Sequence, residues 1–168
     1  PDFHASTRSP LGEVLLYRTW PGRCWTANTA EVGVLLRQLH ALPAPNGLRI
    51  IPQGPEALMA QAAGMTGSLS KTALPPCPPP RAVKPVTPVF LHADVVPGNL
   101  ITGPEGLRLI DWQCPAMGDP CEDLSIFMSP AMQYLYRGAP LSQKEKDTFL
   151  SAYNRPALRA RLEALAPY

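Results

Sequence analysis

The spacing of hydrophobic residues in the first third of the chain predicts a strand followed by a helix. The run Gly12–Trp20 (GEVLLYRTW) is apolar and rich in β-formers, and it stops at the turn pair Pro21–Gly22. Apolar residues then recur at helical spacing until Pro43: Val32, Leu35, Leu36 and Leu39. Asn28 and Glu31 have the spacing of a capping box, so we expect them to open this helix.

The middle of the chain predicts a second helix, a proline-rich connector and a hairpin. Proline suits a first helical turn and glycine a helix end, which predicts a helix over Pro55–Gly64. Repeated prolines in Lys71–Pro88 exclude both a helix and a central strand. Two strand-like runs follow, Val89–Ala93 (VFLHA) and Leu107–Trp112 (LRLIDW). The turn Gly103–Gly106 lies between them, which predicts a small β-hairpin.

Three further helices are predicted in the last third of the chain. Asp119 can cap the first, with Pro120 at its first position. Ser142 and Glu145 form a second capping box that opens the next helix, and Pro156 opens the last. Their apolar faces are formed by Leu124, Phe127 and Met128, by Phe149, Leu150 and Tyr153, and by Leu158, Leu162 and Leu165. The predicted fold class is therefore α+β, mostly helical around one small β-hairpin.

Composition and charge narrow the range of partners. The 168 residues have 45% hydrophobic and 17% charged residues, which is typical of one globular domain. The net charge is +2, and no cluster of basic residues alternates with aromatics. We therefore expect no nucleic-acid partner and no membrane partner, and favour a small molecule.

Other features of the composition bear on location and completeness. No apolar run approaches the roughly 18 residues of a membrane span, and no signal-peptide pattern opens the chain, so a cytoplasmic location is expected. The four cysteines form no C-x-x-C pair, so reduced thiols are expected. The sequence begins PDFHAS without a methionine, which suggests a piece of a longer protein.

The polar residues that carry candidate chemistry lie in the segment Leu91–Trp112. Asp94 is followed five residues later by Asn99, and Asp111 comes after the next strand-like run. Phosphoryl transfer to an alcohol needs a carboxylate that orients the hydroxyl and oxygen ligands that hold magnesium. Asp94, Asn99 and Asp111 have the order of such groups in kinase-type sites. The alternative is structural, with Asp94 and Asn99 as turn formers and Asp111 as a strand-end residue.

Three motifs in this region carry a family resemblance. HADVVPGNL, LRLIDW and GDPCEDL resemble the H-x-D-x-x-x-x-N, I-D-[WF] and G-D-P-x-x-D-L motifs of the aminoglycoside phosphotransferase and choline kinase-like family. The resemblance implies that Asp94 is the catalytic base or hydroxyl-orienting residue and that His92 braces the loop. It also implies that Asn99 and Asp111 bind Mg²⁺ and, through it, ATP or another nucleoside triphosphate. DVVPGNL and GLRLIDW also resemble bacterial thiamine kinase-like members.

The resemblance extends towards the N-terminus. VLLYRTWPGR resembles the family's last small-lobe strand and hinge, where backbone groups of Tyr17, Arg18 and Thr19 would contact adenine. LLRQLHAL resembles the helix that follows the hinge. The resemblance thus implies a protein-kinase-like large lobe. Residues 1–25 would end the small lobe, and residues 26–168 would form the large lobe with a catalytic loop (92–99) and a metal-binding segment (107–124).

Several departures from the family pattern separate two functional hypotheses. Ala93 and Val95–Val96 replace the family's usual Gly and Leu-His, but no oxygen ligand is lost. A glycine-rich phosphate loop and its lysine are missing, and Gly64–Lys71 (GMTGSLSK) lacks phosphate-loop spacing. The first hypothesis is an ATP-dependent small-molecule kinase with an aminoglycoside-, choline- or thiamine-like hydroxyl acceptor. The alternative is a catalytically incomplete remnant that binds only a nucleotide or a protein partner.

The missing small-lobe strands also predict how the chain would associate. Without the earlier strands of a small lobe, the strand around Leu15 and Leu16 would lose its sheet neighbours and leave an apolar edge. A homodimer through this exposed hinge strand is therefore predicted.

The remaining polar residues have structural interpretations. His92 is expected to hydrogen-bond backbone in the core, and His40 is interpreted as a packing residue. Asp119 and Asp123 are interpreted as helix-terminus residues. Cys114 and Cys121 lie too far from a second cysteine pair for a zinc site.

Overall fold

The computed structural model describes residues 3–65, 78–79 and 81–168, and within them it contains six helices and eight strands. The strands are β1 (Phe3–Ser9), β2 (Gly12–Tyr17), β3 (Arg23–Cys24), β4 (Arg49–Ile50), β5 (Val89–Leu91), β6 (Leu100–Gly103), β7 (Gly106–Leu109) and β8 (Ala116–Gly118). The helices are α1 (Thr29–Leu39), α2 (Pro55–Met65), α3 (Cys121–Met128), α4 (Pro130–Arg137), α5 (Gln143–Tyr153) and α6 (Pro156–Leu165). The described part of the chain is thus a mixed α and β fold with more helix than strand, as predicted.

The strands form three small sheets, and one of them corrects the predicted hairpin. β6 and β7 pair antiparallel and form the hairpin, with Gly103 opposite Gly106 at its turn. Gly106 has a φ of 100°, which favours glycine there. The predicted pairing of Val89–Ala93 with Leu107–Trp112 is wrong, because β5 pairs with β8 in a separate sheet, in the order β4-β8-β5. The hydrophobic pattern indicates strands but does not choose their partners.

The N-terminal strand prediction is confirmed over most of its length, but its surroundings differ from the expectation. β2 ends at Tyr17, and β1 pairs with it antiparallel, with Ser9 opposite Gly12. The strand around Leu15 and Leu16 therefore keeps one neighbour. The sequence of β1, FHASTRS, has few β-branched or aromatic residues, which is why pattern reasoning missed it.

The five predicted helices are present as α1, α2, α3, α5 and α6, with one predicted cap wrong, whereas α4 was not predicted from the sequence. Asn28 precedes α1, but its backbone is left-handed (φ 70°, ψ 69°) and its side chain accepts no bond from the helix backbone. Instead, Asn28 Nδ2 donates to Glu31 Oε1 at 2.6 Å, so the predicted capping box there is wrong. The capping box of Ser142 and Glu145 does form and opens α5.

The main hydrophobic core lies between the helices and the β6–β7 hairpin. Trp25, Phe127 and Phe149 are buried together, with Trp25 edge-on to Phe127 at 5.2 Å between ring centroids. α1 packs closely on α5, since a Cβ at Gly33 would overlap the Phe149 carbonyl oxygen. No residue of β1 or β2 belongs to the described core.

Some features of the sequence lie partly outside the described residues. Residues 78–79 and 81–88 of the proline-rich connector contain no helix or strand, and the rest of Lys71–Pro88 is not described. Most of Gly64–Lys71 also lies outside the described residues, as does Cys77. The other three cysteines are free thiols. Among the helices of the described ranges, none is both long and apolar enough to cross a bilayer.

Candidate active site

The loop between β5 and β6, residues 92–99, is fixed by its own backbone hydrogen bonds. Ala93 has a φ of 61°, so the chain turns sharply just before Asp94. The Asp94 carbonyl accepts a bond from Val96 N at 2.9 Å, and the Val96 carbonyl accepts one from Asn99 N at 2.9 Å. Val96 is buried, whereas Asp94 and Asn99 are only half-buried. The loop thus carries two partly accessible polar side chains on a fixed backbone.

Asp94 and Asn99 are joined directly through their side chains. Asn99 Nδ2 donates to Asp94 Oδ2 and to the Asp94 carbonyl oxygen, both at 2.9 Å. These bonds use the donor end of the amide and leave Asn99 Oδ1 as an oxygen ligand. The carboxylate of Asp94 is thereby oriented and still half-exposed.

Asp111 lies just beyond β7, next to the start of β6. The Asn99 carbonyl accepts a bond from Ile110 N at 2.9 Å, which extends the hairpin ladder to the residue before Asp111. Asp111 is exposed and has a left-handed backbone, with a φ of 63°. Its carboxylate accepts one weak bond, from Gln113 Nε2 at 3.4 Å. Asn99 is therefore paired through its backbone with the residue before Asp111, at the open end of the β6–β7 hairpin.

The donor set at this hairpin end is compatible with magnesium. In the described residues, no group of three or more His, Cys, Asp or Glu side chains converges as a ready metal site. Magnesium prefers oxygen ligands and usually keeps several waters beside one or two carboxylates and the substrate phosphates. Asn99 Oδ1 and the Asp111 carboxylate fit such an incomplete protein shell. Neither Asp94 nor Asp111 takes part in an ion pair within the described structure.

His92 connects the catalytic-loop segment to the strand end that carries Asp111. Its ring is fully buried, and Nε2 donates to the Ile110 carbonyl oxygen at 2.9 Å, because a carbonyl can only accept. The ring also contacts Trp112 edge-on, with 4.5 Å between centroids. Its Nδ1 has no hydrogen-bond partner in the described part of the chain. The expected backbone hydrogen bond of His92 is thus present in the core.

Asp123 contacts the loop in a way that the sequence interpretation missed. Its side chain is fully buried, and its two oxygens accept bonds from His92 N at 3.0 Å and Ala93 N at 2.8 Å. His40 Nε2 lies 3.0 Å from the same carboxylate. Asp123 is therefore more than a helix-terminus residue, since it holds the start of the loop. Its position four residues before Phe127, on the buried face of α3, was the available sequence signal.

His40 extends this buried network to α5. Its Nδ1 lies 2.7 Å from the Tyr153 hydroxyl, so His40 hydrogen-bonds on both sides of its ring. Burial raises the pKa of Tyr153 to about 12, which keeps the phenol protonated at neutral pH. The interpretation of His40 as a packing residue was therefore incomplete, because its ring links α1, α3 and α5.

Asp119 anchors the other side of α3. Its Oδ1 accepts a bond from Cys121 N at 2.9 Å, which confirms its role at the helix start. Its Oδ2 forms a buried ion pair with Arg161 of α6, which sequence reasoning missed. Arg161 also donates to the Lys84 carbonyl oxygen and lies 3.5 Å from Gln53 Oε1. This pair ties α3 and α6 to the segment before β5.

These elements correspond to a known family. A model of the phosphotransferase enzyme family (APH) matches residues 25–165, which is most of the chain. The chain belongs to this family. The matched range includes the loop, the hairpin and all of α3, and it excludes β1 and β2. No curated protein sequence matches the chain significantly.

Solved structures share the fold of this phosphotransferase family member at low sequence identity. A choline/ethanolamine kinase family protein from Mesorhizobium loti has a TM-score of 0.65 and 17% identity, over 99% of this chain and 60% of that one. APH(2″)-IIia, solved with GDP and kanamycin, has a TM-score of 0.67 and 13% identity, over 99% and 64%. Spectinomycin phosphotransferase APH(9)-Ia, solved with ADP and spectinomycin, has a TM-score of 0.55 and 17% identity, over 96% and 59%. The chain thus spans about three fifths of the length of these proteins.

The segment predicted as a hinge lies at the surface of this phosphotransferase family member, directly after β2. Tyr17, Arg18 and Thr19 are exposed, and no described hydrogen bond or ion pair joins them to the loop. The next residue, Trp20, is covered by the Arg108 guanidinium, 3.6 Å from the ring centroid. The chain after β2 therefore packs on the β6–β7 hairpin.

An apolar cleft of about 680 Å³ is lined in part by the same hairpin. Its walls include Leu39 of α1, Leu107 of β7 and Trp112. The loop residues Asp94 and Asn99 are absent from its described lining, as is Asp111. Its position therefore does not coincide with the polar cluster.

Proposed function

We propose that the protein is an ATP-dependent phosphotransferase that moves the γ-phosphate to a hydroxyl of a small molecule with the help of Mg²⁺. The observation that carries this proposal is the side-chain bond between Asp94 and Asn99 beside Asp111. In this proposal the Asp94 carboxylate serves the acceptor hydroxyl, and Asn99 Oδ1 and the Asp111 carboxylate serve as oxygen ligands at the same end of the hairpin. Kinase-type phosphoryl transfer requires these groups.

Each residue has a distinct role in this proposal. Asp94 accepts a hydrogen bond from the acceptor hydroxyl and takes its proton as the phosphoryl group is transferred. Asn99 Oδ1 and the Asp111 carboxylate would hold Mg²⁺, which neutralises charge on the nucleotide phosphates when bound. His92 braces the loop against Ile110, and Asp123 fixes its first two amides.

The domain assignment is part of the same proposal. We assign residues 1–25 to the end of a small lobe with its hinge strand and residues 26–168 to the large lobe. This is supported by the absence of β1 and β2 from the described core and by the start of the family match at residue 25. In such a hinge, backbone groups of Tyr17–Thr19 would contact the adenine of the nucleotide.

The acceptor class is supported by the proteins that share the fold. The names of these structures include a choline/ethanolamine kinase family protein, a kanamycin complex and a spectinomycin complex. Nucleotides are bound in two of them, GDP and ADP. A hydroxyl of an amino alcohol or aminoglycoside-like compound is therefore the acceptor to test first, with thiamine as a further probe.

The test is nucleotide turnover by the natural full-length protein that contains these residues. ADP formation from ATP and Mg²⁺ is measured with choline, ethanolamine, kanamycin, spectinomycin or thiamine. We expect turnover that depends on one acceptor, and an increased magnesium requirement in Asp111→Asn, which loses the charge but keeps the shape. Nucleotide binding without turnover for every acceptor would favour the remnant alternative instead.

A further inference from the structure

One aromatic side chain of α4 lies directly against the catalytic loop. The Tyr136 ring contacts Gly98, the residue immediately before Asn99. A Cβ at Gly98 would lie 2.8 Å from Tyr136 Cδ1 and would overlap the neighbouring ring atom. Only glycine allows the ring to come this close to the loop backbone. The 3₁₀ turn that contains Gly98 is therefore shaped to accommodate Tyr136.

The position of Tyr136 is fixed by two side chains on the adjacent face of α4. Gln133 is buried and its Nε2 donates to the Phe127 carbonyl oxygen at 2.6 Å. Four residues later, Arg137 donates to Glu145 Oε1 at 2.8 Å and lies over the Trp25 ring. These two anchors set the rotation of the helix about its axis. Tyr136 is consequently held at the loop although it is 50% exposed.

The exposed part of Tyr136 continues into an apolar surface. Met132 lies one helical turn before it, Leu135 adjoins Met132 at i+3, and both are exposed. An aromatic side chain buries a large area when a ligand covers it. No described element of the chain covers this surface. It begins at Gly98, and Gly98 is adjacent to the Asn99 amide that holds Asp94.

We propose that Tyr136 is a specificity-determining residue that forms one wall of the acceptor site. This proposal rests on the proposed function, in which Asp94 receives the reacting hydroxyl. An acceptor bound there would extend over Gly98 and place its carbon skeleton on the Tyr136 ring. The acceptor class is an alcohol with an apolar ring or an alkylated carbon skeleton beside the hydroxyl.

Charge further limits the acceptor. The carboxylates of Asp94 and Asp111 have no described ion-pair partner. The nearest cation along α4, Arg137, is committed to Glu145. With Asp111 holding Mg²⁺, an anionic alcohol, such as a sugar phosphate or a hydroxy acid, would still be repelled by the Asp94 carboxylate. The site therefore selects neutral or cationic alcohols.

The test compares Tyr136→Ala and Tyr136→Phe with Tyr134→Ala in the natural full-length protein. Tyr134 is the matched control, since it lies on the same helix and is 67% exposed. We expect Tyr136→Ala to raise the KM for the acceptor about tenfold, the loss corresponding to one aromatic contact, with the KM for ATP unchanged. Tyr136→Phe and Tyr134→Ala should resemble the parent. If Tyr136→Ala does not fold, Tyr136→Leu keeps an apolar cover over Gly98 and removes the ring.

A second measurement separates the acceptor wall from catalysis. Saturation-transfer NMR measures binding of kanamycin, choline and thiamine without nucleotide, to the parent and to the same variants. If a probe binds the parent but not Tyr136→Ala, and no acceptor is turned over, the result would support Tyr136 as a wall of the binding site and contradict the proposed function. Turnover with the same acceptor KM in the parent and in the Tyr136 variants would contradict the role of Tyr136 in the acceptor site and support the proposed function. If all the probes neither bind nor react, both are rejected.

Discussion

Asn99 shows how a single side chain can organise several reacting groups. Its Nδ2 binds both the carboxylate and the carbonyl oxygen of Asp94, so the orientation of the amide is decided by two acceptors. The remaining Oδ1 is then available to a cation. One residue thus couples the acceptor side of the proposed reaction to its phosphate side.

Asp94 is the residue whose removal should affect the chemical step most directly. In Asp94→Asn, the shape is kept but the proton acceptor is lost. We expect kcat in the active full-length protein to fall by about 10²–10⁴-fold, the usual contribution of a positioned general base. The Kd for ATP measured by calorimetry should stay unchanged, because the carboxylate faces the acceptor hydroxyl in this proposal. The control is Asp147→Asn, a half-buried aspartate of α5 outside the loop, and a variant at Asp94 that keeps most of its kcat would remove the residue from the mechanism.

The sequence indicated the candidate site residues better than the buried residues that support them. Asp94, Asn99 and Asp111 lie close together along the chain, so their spacing alone predicted one cluster. Asp123 and His40 are 83 residues apart, and their contact depends on how α1 packs against α3. A pairing across that distance cannot be derived from local patterns, although each residue lies on the buried face of its helix.

At the level of single elements, the α5 capping box stabilises the folded state, and its contribution to the free energy of unfolding depends on pH. Arg137 and Ser142 both bind the Glu145 carboxylate and lower its pKa from an ordinary 4.5 to about 2. A lowered pKa means that the charged form is favoured in the folded state, so this stability is present above pH 4.5 and is lost as pH falls towards 2. Because the Glu145 side chain is more than a third exposed, the contribution is about 1 kcal/mol at most.

Urea unfolding from pH 7 to pH 2.5 checks this expectation with Glu145→Gln. The variant should be less stable than the parent at pH 7, and the difference should shrink steadily below pH 4.5. Glu163→Gln, at an exposed position on α6, is the control and should leave stability unchanged at every pH. A difference between Glu145→Gln and the parent that persists at pH 2.5 would show that the carboxylate charge is not the cause.

The buried network around Asp123 makes α3 the support of the loop of residues 92–99. In Asp123→Asn, an amide NH₂ group would face His92 N, Ala93 N or His40, and at least one donor would lose its acceptor. We expect a loss of about 3 kcal/mol in the free energy of unfolding, as for other buried charged hydrogen bonds. Tyr153→Phe removes only the outermost hydroxyl, so it should cost about 1 kcal/mol. Equal losses in the two variants, measured by urea unfolding, would contradict this ranking.

The fold as a whole was predicted in part. The sequence patterns identified the helices α1, α2, α3, α5 and α6, because each has an apolar face or a clear start signal, whereas α4 was missed although Ser129 and Pro130 mark its start. The short strands β3 and β4 have two residues each and leave no periodic pattern to detect. The partner of β5 was predicted wrongly because strand pairing depends on tertiary packing. The sheets that position the loop therefore needed the structure.

The β1–β2 hairpin is the element least integrated into the whole molecule. In β2, Leu15 and Leu16 are 52% and 55% exposed, and neither joins the described core. The sheet contains only these two strands, so one edge of β2 has no strand partner among the described residues. An apolar strand with a free edge favours pairing with another chain, and an isolated hairpin is only marginally stable.

We therefore expect the polypeptide of residues 1–168 to self-associate through the free edge of β2. The leucine side chains lose water on association, and the unpaired backbone groups gain partners. Light scattering after size-exclusion chromatography should show an average mass that rises from the 18.2 kDa monomer towards a dimer with concentration. Leu16→Lys places a charge on this strand and should shift the equilibrium to the monomer, whereas Leu11→Lys, in the turn between β1 and β2 at 99% exposure, should leave it unchanged. If Leu16→Lys associates as strongly as the parent, the contact lies elsewhere, and the apolar cleft beside Trp112 would be the next surface to alter.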